Sequence, residues 1–147
     1  MRLETWRGLV FAAVDAEISP LAEVLAAVEA RLKGPDWSGL RVATTRRHHL
    51  DCNWKAYVEN YLEGYHVPLI HKALDAEIDA TRYSVTLDGR VAIHEAPLKK
   101  PDAVYEGLWA WAWPNIGFNV YGSGVMVERA ASFGPGMSAA EGTAVVP

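Results

Sequence analysis

The sequence predicts an α+β fold in which a few helices accompany an antiparallel sheet. Apolar residues recur at helical spacing between Leu21 and Leu32, which predicts a helix that opens at Pro20 and ends at Gly34-Pro35. Farther along the chain, Asp88-Gly89 separates two apolar runs and is a strong hairpin signal. Helical segments combined with hairpin-connected strands in this order are typical of the α+β class.

Each predicted element follows from the local pattern of apolar and turn-forming residues. The predicted helices cover residues 20–32 and 54–65, with a short helix or loop at 75–80. The predicted strands cover residues 9–14, 40–50, 83–87, 90–94, 108–113, 117–121 and 125–129. From residue 130 onward the chain is rich in small residues and weakly periodic, so we expect a frayed end. Within that segment, Gly134-Pro135-Gly136 is a candidate turn between two strands.

Composition limits the classes of function. With 147 residues, half of them hydrophobic, the chain is long enough for a domain with a real core. A net charge of −4 with scattered basic residues argues against a nucleic-acid partner, and we interpret the basic cluster at residues 46–49 as decoration of a surface strand. No apolar run approaches the ~18 residues of a membrane span, and no signal-peptide pattern opens the chain. The single cysteine, Cys52, excludes an internal disulfide and fits a cytoplasmic location.

The most informative segment is residues 53–71, which contains two histidines and a carboxylate in an aromatic setting. On a straight helix His66 and His71 would lie about 140° apart, too far round to share a metal ion. Pro68 lies between them and Gly64 loosens the same turn, so the helix should end or kink there. With the chain bent, both imidazoles can meet one cation. Two imidazoles with a carboxylate and open positions suit non-haem Fe(II) and dioxygen, and the spacing leaves the third ligand open.

A plainer interpretation stands beside this one, since histidines near a helix end are commonly solvated or form a cap. The surroundings favour a metal: Glu63 precedes His66 by one helical turn, and Asn60 precedes Glu63 by another. Polar groups close to a buried face need partners, and a metal would supply one. We interpret the aromatic residues that recur every fourth position as core or groove lining. They are Tyr57, Tyr61 and Tyr65.

These residues resemble the mononuclear-iron signature of the Rieske non-haem iron oxygenases, the large (α) subunits of aromatic ring-hydroxylating dioxygenases and their relatives. The resembling residues are 52–55, 59–68 and His71. Two further segments agree: residues 5–11 resemble the stretch that closes the Rieske domain, and residues 113–121 resemble a later strand of the family. The three blocks occur in the family's order, and the resemblance covers roughly residues 1 to 130.

The resemblance implies roles for individual residues. His66 and His71 match the two iron-binding histidines. Glu63 matches the acidic residue that bridges the iron site and the Rieske cluster of a neighbouring subunit, where it accepts hydrogen bonds from imidazoles on both sides. Without the resemblance, Glu63 would be interpreted as a solvated carboxylate on a helix face. Asn60 is a candidate for a further polar contact near the iron.

The resemblance also implies the wider architecture and partners. The fold would be the first part of a helix-grip catalytic domain, with residues 1–18 as the end of the Rieske domain and residues 19–147 as the truncated N-terminal part of the catalytic domain. The cofactors would be mononuclear Fe(II) and, in the parent protein, a Rieske [2Fe-2S] cluster. The implied partners are a small organic substrate, O2 and a ferredoxin or reductase, in a homotrimer or an αβ hexamer.

The sequence departs from the family pattern in two ways. A Rieske cluster needs two cysteines and two histidines, and Cys52 is the one cysteine here, so these residues cannot build the cluster. The family's third iron ligand, a carboxylate, is expected beyond Pro147, and we interpret the nearby acidic residues as solvated. They are Asp75, Glu77 and Asp79. Two hypotheses follow: an oxygenase subunit that hydroxylates or demethylates its substrate, or an inactive fragment with weak or no metal binding.

The alternating tryptophans of one predicted strand leave two interpretations open. Trp109, Trp111 and Trp113 would share a face, which is typical of a buried core surface and also suits the wall of a substrate pocket. Leu62, Val67 and Ile70 lie beside the predicted iron site and are further pocket candidates. We favour the core interpretation for the tryptophans, because an aromatic stripe of period 2 usually marks a buried face.

Overall fold

The dominant element is a seven-stranded antiparallel sheet, seen in a computed structural model that describes residues 1–32 and 37–146. Its strands are β3 (Arg41–Leu50), β4 (Ser84–Asp88), β5 (Val91–Glu95), β6 (Tyr105–Ala112), β7 (Ile116–Tyr121), β8 (Gly124–Gly134) and β9 (Met137–Val146). They lie in the order β3-β9-β8-β7-β6-β5-β4, and a separate hairpin is formed by β1 (Arg2–Trp6) and β2 (Leu9–Ala13). The predicted combination of an antiparallel sheet with helices is confirmed.

The segment predicted as one helix over residues 20–32 forms two short helical turns, α1 (Leu21–Val24) and α2 (Ala26–Glu29). Leu25 interrupts them, with φ −98° and ψ 6°. Its side chain is buried against the core together with that of Val28, so tertiary packing overrides the continuous helix that the spacing favours. The predicted stop at Gly34-Pro35 lies outside the described residues.

The predicted break in the helix is present before His66, but the chain between His66 and His71 is one turn of helix rather than the predicted bend. Helix α3 (Trp54–Leu62) begins at an Asn53 cap, whose side-chain oxygen accepts a hydrogen bond from the Lys55 N–H at 3.0 Å. The helix ends at Leu62 rather than at residue 65, and Glu63 is extended at φ −118° and ψ 159°. Two short helices follow, α4 (Val67–Ile70) and α5 (Lys72–Glu77), the second starting three residues earlier than predicted. Gly64 permits the close turn, since a Cβ there would lie 2.5 Å from the Tyr83 ring.

The sheet is covered on both faces. One face packs against the β1–β2 hairpin, α1 and α2, in a cluster that includes Ile93, Phe118 and the hairpin residue Trp6. The other face packs against α3, where Val58 meets Trp111. Alternate residues of each strand therefore enter different layers, and residues on the α3 face lie next to the predicted iron site.

The prediction of a frayed segment from residue 130 onward is wrong. Strand β8 continues to Gly134, the candidate turn Gly134-Pro135-Gly136 is confirmed, and β9 pairs with both β8 and β3. Ala139 and Ala140 of β9 are buried. Hydrogen bonding to two neighbouring strands stabilises a sequence whose small residues have little intrinsic preference for a strand.

The hairpin at the other sheet edge is confirmed, with its turn displaced by one residue. Asp88 pairs with Val91, so the loop is Gly89-Arg90, and Gly89 takes the positive φ of 55° that this residue type adopts without steric cost.

The basic cluster at residues 46–49 lies on β3 and is exposed, as predicted. Among the described residues, no helix has the length and apolar character needed to cross a membrane.

Candidate active site

A pocket of about 320 Å³ lies between the α3–α4 bend and the inner face of the sheet. It brings together the four side chains singled out from the sequence, namely Asn60, Glu63, His66 and His71. A larger cavity of about 580 Å³ lies elsewhere on the molecule and is lined by none of these four. Size therefore does not identify the site, and the convergence of titratable side chains does.

The two histidines flank a single turn of helix. His66 immediately precedes α4 and His71 immediately follows it. Their ring centroids lie 4.9 Å apart with an interplanar angle of 69°. Helical hydrogen bonds span this segment, from the Ile70 N–H to the His66 oxygen and from the His71 N–H to the Val67 oxygen. The two imidazoles therefore lie next to each other without the bend predicted at Pro68, which fits in the first turn of α4.

Glu63 holds one of these imidazoles in place. Its Oε1 contacts His66 Nδ1, and its Oε2 accepts a hydrogen bond from the His66 backbone N–H at 3.2 Å. The Asn60 amide donates to the same carboxylate at 3.4 Å. A carboxylate on Nδ1 selects the tautomer that leaves Nε2 free to act as a ligand, which is the usual arrangement around a metal-bound histidine.

The donor set suits two positions of a mononuclear Fe(II) centre. Neutral imidazole is a good ligand for Fe(II), and the facial arrangement of two histidines and one carboxylate leaves positions open for substrate and oxygen. Within residues 1–32 and 37–146, no group of three or more His, Cys, Asp or Glu side chains is placed to hold a metal ion. His66 and His71 therefore fit two positions of such a centre, and among the described residues no third donor is grouped with them.

One wall of the pocket is aromatic, and it shows which of the alternating tryptophans line the pocket and which pack in the core. Trp109 lines the pocket and stacks on Tyr83 at 6.3 Å between ring centroids, whereas Trp111 is buried in the core beneath α3. Trp113 lies beyond the end of β6 and is 48% exposed. Of the predicted pocket residues, Val67 is a lining residue, while Leu62 packs with the α3 core cluster and Ile70 is exposed.

Tyr61 joins α3 to the sheet below the pocket. Its hydroxyl lies 3.2 Å from the Asn119 side-chain oxygen and 3.3 Å from the backbone oxygens of Ala110 and Phe118. Burial raises its pKa well above the ordinary value for tyrosine, so the hydroxyl stays protonated and acts as a donor. This contact positions the helix that leads into the histidines.

Among the pocket residues that sequence reasoning missed, Glu128 of β8 is the acidic one. It pairs with Gly117 and lies on the α3 face of the sheet, where it lines the pocket with Tyr57 and Asn119. Burial raises the pKa of Glu128 above its ordinary value, and the side chains of Asn119 and Tyr57 offset part of that shift. The strand alternation that buries Ala130 also places Glu128 on the inner face, so the signal was present but appeared as a lone charge in a predicted strand.

Comparison with known proteins agrees with this geometry. Residues 38–131 match the family model described as the ring hydroxylating alpha subunit, catalytic domain. The chain is 33% identical over 157 residues to the chloroplastic choline monooxygenase of Arabidopsis thaliana, an alignment that covers 92% of this chain and 36% of that protein. It is 27% identical over 123 residues to the carnitine monooxygenase oxygenase subunit of Escherichia coli, covering 76% of this chain and 33% of that protein.

Solved structures share the fold. A quaternary ammonium Rieske monooxygenase in complex with an inhibitor superposes with a TM-score of 0.84 at 19% identity, over 99% of this chain and 42% of that one. Naphthalene 1,2-dioxygenase from Rhodococcus sp. bound to indole superposes with a TM-score of 0.73 at 16% identity, over 99% of this chain and 45% of that one. The chain therefore belongs to the family of ring-hydroxylating oxygenase alpha subunits and comprises part of their catalytic domain. It spans between about a third and a half of the length of these relatives.

Proposed function

We propose that the parent protein is an Fe(II)-dependent oxygenase that hydroxylates or oxidatively demethylates a small organic substrate with O2. The observation that carries the proposal is the placement of His66 and His71 side by side in a pocket, with Glu63 orienting His66. The family match over residues 38–131 supports it independently. Choline and carnitine monooxygenases, putrescine 2-hydroxylase and anthranilate 1,2-dioxygenase are among the relatives, so both amine and aromatic substrates are within this proposal.

The proposed roles follow from the contacts. His66 and His71 would hold the iron through one nitrogen each, and the bound Fe(II) would supply the activation of dioxygen. The aromatic wall around Trp109 excludes water and orients an organic substrate. Glu63 keeps the His66 ring in one tautomer and orientation.

We propose that electrons arrive from a Rieske [2Fe-2S] cluster of a neighbouring subunit through Glu63, after delivery by a ferredoxin or reductase. A solved relative with 19% identity is described in terms of inter-subunit electron transfer. In that arrangement residues 1–18 would end the Rieske domain and residues 19–147 would belong to the catalytic domain. The assembly would be a homotrimer or an αβ hexamer, since a cluster in one subunit must lie against the iron site of the next. We propose a cytoplasmic location for it.

The test is the iron content of purified full-length protein. His66→Ala and His71→Ala are each expected to abolish stoichiometric iron and turnover, because each removes a metal ligand. The matched control is His49→Ala, an exposed histidine on β3, which should retain both. Glu63→Gln should keep the iron but slow NAD(P)H-coupled oxygen uptake, because the amide preserves shape and loses the charge-assisted hydrogen bonds.

Stoichiometric iron in either the His66 or the His71 variant would contradict the proposed ligands, and normal turnover in Glu63→Gln would remove it from the electron path. The alternative is an inactive chain that binds metal weakly or not at all. It is supported by the fact that, among the described residues, no three His, Cys, Asp or Glu side chains are grouped so that they could hold a metal ion. An unmodified parent protein that binds no iron under reducing, anaerobic loading would favour that alternative.

A further inference from the structure

We propose that Glu128 is the anchor for a positively charged nitrogen of the substrate, so that the pocket takes an organic ammonium ion. The inference rests on the proposed function, because the pocket is the same one, and it names the class of substrate. Four observations support it. The described lining of the pocket has carboxylates but no cationic partner for Glu128, and Glu128 is not grouped with the histidines as a metal ligand. Aromatic rings lie beside Glu128, and the Asn119 amide nitrogen is available as a donor.

The pocket contains a carboxylate that lacks a cationic partner. Its lining includes two carboxylates, Glu63 and Glu128, and no lysine or arginine among the residues that the structure describes. Glu63 is occupied by His66. Glu128 has only neutral side chains, Tyr57 and Asn119, as hydrogen-bonding neighbours. Glu128 is half-buried. A carboxylate partly removed from water without a counter-charge is costly, and a cationic ligand would remove that cost.

Glu128 is not placed to act as a metal ligand with the two histidines. All three side chains line one pocket, yet the described residues hold no group of three donors able to share an ion. The carboxylate is therefore left for the substrate, and a molecule anchored there by its nitrogen would extend the rest of its skeleton toward His66 and His71.

The aromatic wall beside Glu128 suits a cation. Tyr105 and Tyr121 lie 5.3 Å apart between ring centroids, and Tyr105 and Trp109 lie 6.3 Å apart. The faces of such rings carry negative potential and attract ammonium groups, quaternary ones included. Burial, with a smaller contribution from the negative charge of Glu128, raises the pKa of Tyr57 and of Tyr121, as expected if Glu128 lies beside this part of the wall.

Asn119 supplies a second polar contact. It is 7% exposed and lines the pocket. Its oxygen accepts from the Tyr61 hydroxyl, while its amide nitrogen lacks a hydrogen-bond partner of normal geometry among the described residues. The nitrogen interacts with Glu128 strongly enough to lower the pKa of that carboxyl, and its two hydrogens leave a donor available to a ligand. An ammonium substrate that also bears a hydroxyl or carboxylate would satisfy both groups.

The experiment is calorimetric titration of the iron-loaded full-length protein without reductant, so that binding is measured without turnover. The probes are choline, putrescine, naphthalene and the neutral analogue of choline in which carbon replaces nitrogen. Choline or putrescine should bind at least about tenfold more tightly than the neutral probes, because a charge-assisted contact is lost in the latter. Glu128→Gln should weaken ammonium binding by about 10- to 100-fold and leave the neutral analogue unchanged.

Glu59→Gln is the matched control, because Glu59 is exposed on α3 and does not line the pocket. It should change no affinity. A second measurement shows that Glu128→Gln folds: its ligand-free Tm at neutral pH should equal or exceed that of the unmodified protein, because burial disfavours the native carboxylate.

Three results would overturn the inference: equal binding of choline and its neutral analogue, tighter binding of naphthalene than of both ammonium probes, or unchanged ammonium affinity in Glu128→Gln. Absence of binding by both ammonium probes would also overturn it. These outcomes are separate from those of the iron test, because iron content is measured without substrate. Protein that lacks iron but binds choline through Glu128 would refute the oxygenase proposal alone.

Discussion

His94 is the clearest example of a single residue whose environment changes its chemistry. It lies on β5 with 1% of its surface exposed. Its Nδ1 lies 2.8 Å from the Tyr83 hydroxyl, and its Nε2 has no hydrogen-bond partner among the described residues. Burial lowers the pKa of His94 to about 4, so the ring is neutral in the folded protein at physiological pH.

This shift predicts a pH-dependent stability. The unfolded histidine has a pKa of about 6.5. Between pH 6.5 and about 4, His94 therefore binds a proton in the unfolded chain but not in the native protein. Protonation of His94 should therefore not lower the free energy of unfolding above pH 6.5. It should lower that free energy by roughly 3 kcal/mol as the pH drops from 6.5 to 4. Urea unfolding at a series of pH values measures the slope.

In that series His94→Gln should flatten the slope, because the amide can still accept from Tyr83 but does not titrate. His49→Gln, at an exposed position on β3, should leave the slope as it is. An unchanged slope in His94→Gln would show that other groups cause the acid sensitivity.

Within the strands, the bulge in β6 positions the aromatic wall. Tyr105 pairs with Tyr121 and Trp109 pairs with Asn119, so the β6 side of this interval contains two more residues than the β7 side. Gly107 lies in the bulge at φ 68°, and its carbonyl accepts a hydrogen bond from the Ala96 N–H at 2.9 Å. The irregularity brings the Tyr105 and Trp109 rings next to each other on the pocket side.

Gly107→Ala should destabilise the protein. A Cβ at this position would lie 2.1 Å from the Ala96 backbone oxygen, and the positive φ costs about 1–2 kcal/mol for a non-glycine residue. We therefore expect a loss of more than about 2 kcal/mol in the free energy of unfolding. Gly136→Ala has no atoms within 4 Å of its new Cβ and should cost little. Urea unfolding compares the two, and similar losses would contradict a special requirement at Gly107.

For the molecule as a whole, β9 determines whether the sheet is continuous. It lies between β3 and β8, and through it β3 joins the remaining strands. The Thr45 and Thr143 hydroxyls meet at 3.1 Å across the β3–β9 pair. A segment that local patterning treats as frayed is thus an interior strand.

Amide hydrogen exchange tests this arrangement in the full-length protein. The amides of residues 138–145 should exchange as slowly as those of β7, because strands on both sides protect them. The edge strand β4, every residue of which is exposed, should exchange faster. Exchange in residues 138–145 as fast as in β4 would show that β9 does not hold the sheet together in solution.

Local patterns were sufficient for the features that depend on neighbouring residues. Helical spacing, alternation and turn chemistry predicted the α+β class, the β4–β5 hairpin and the break in the helix before His66, because proline, glycine and periodicity act over a few residues. The assignment of those histidines as iron ligands and of Glu63 as a bridge stays a prediction. The family resemblance came from short motifs in the same segments, and the family match over residues 38–131 confirmed it.

Distant contacts decided the remaining features. The break at Leu25 follows from its burial in the core, and β9 exists because two strands pair with it, one of them nearly a hundred residues earlier in the chain. Glu128 joined the pocket because β8 and α3 pack face to face. Such features depend on the free energy of burial and of backbone pairing between segments far apart in sequence, and no local pattern records which segments will meet.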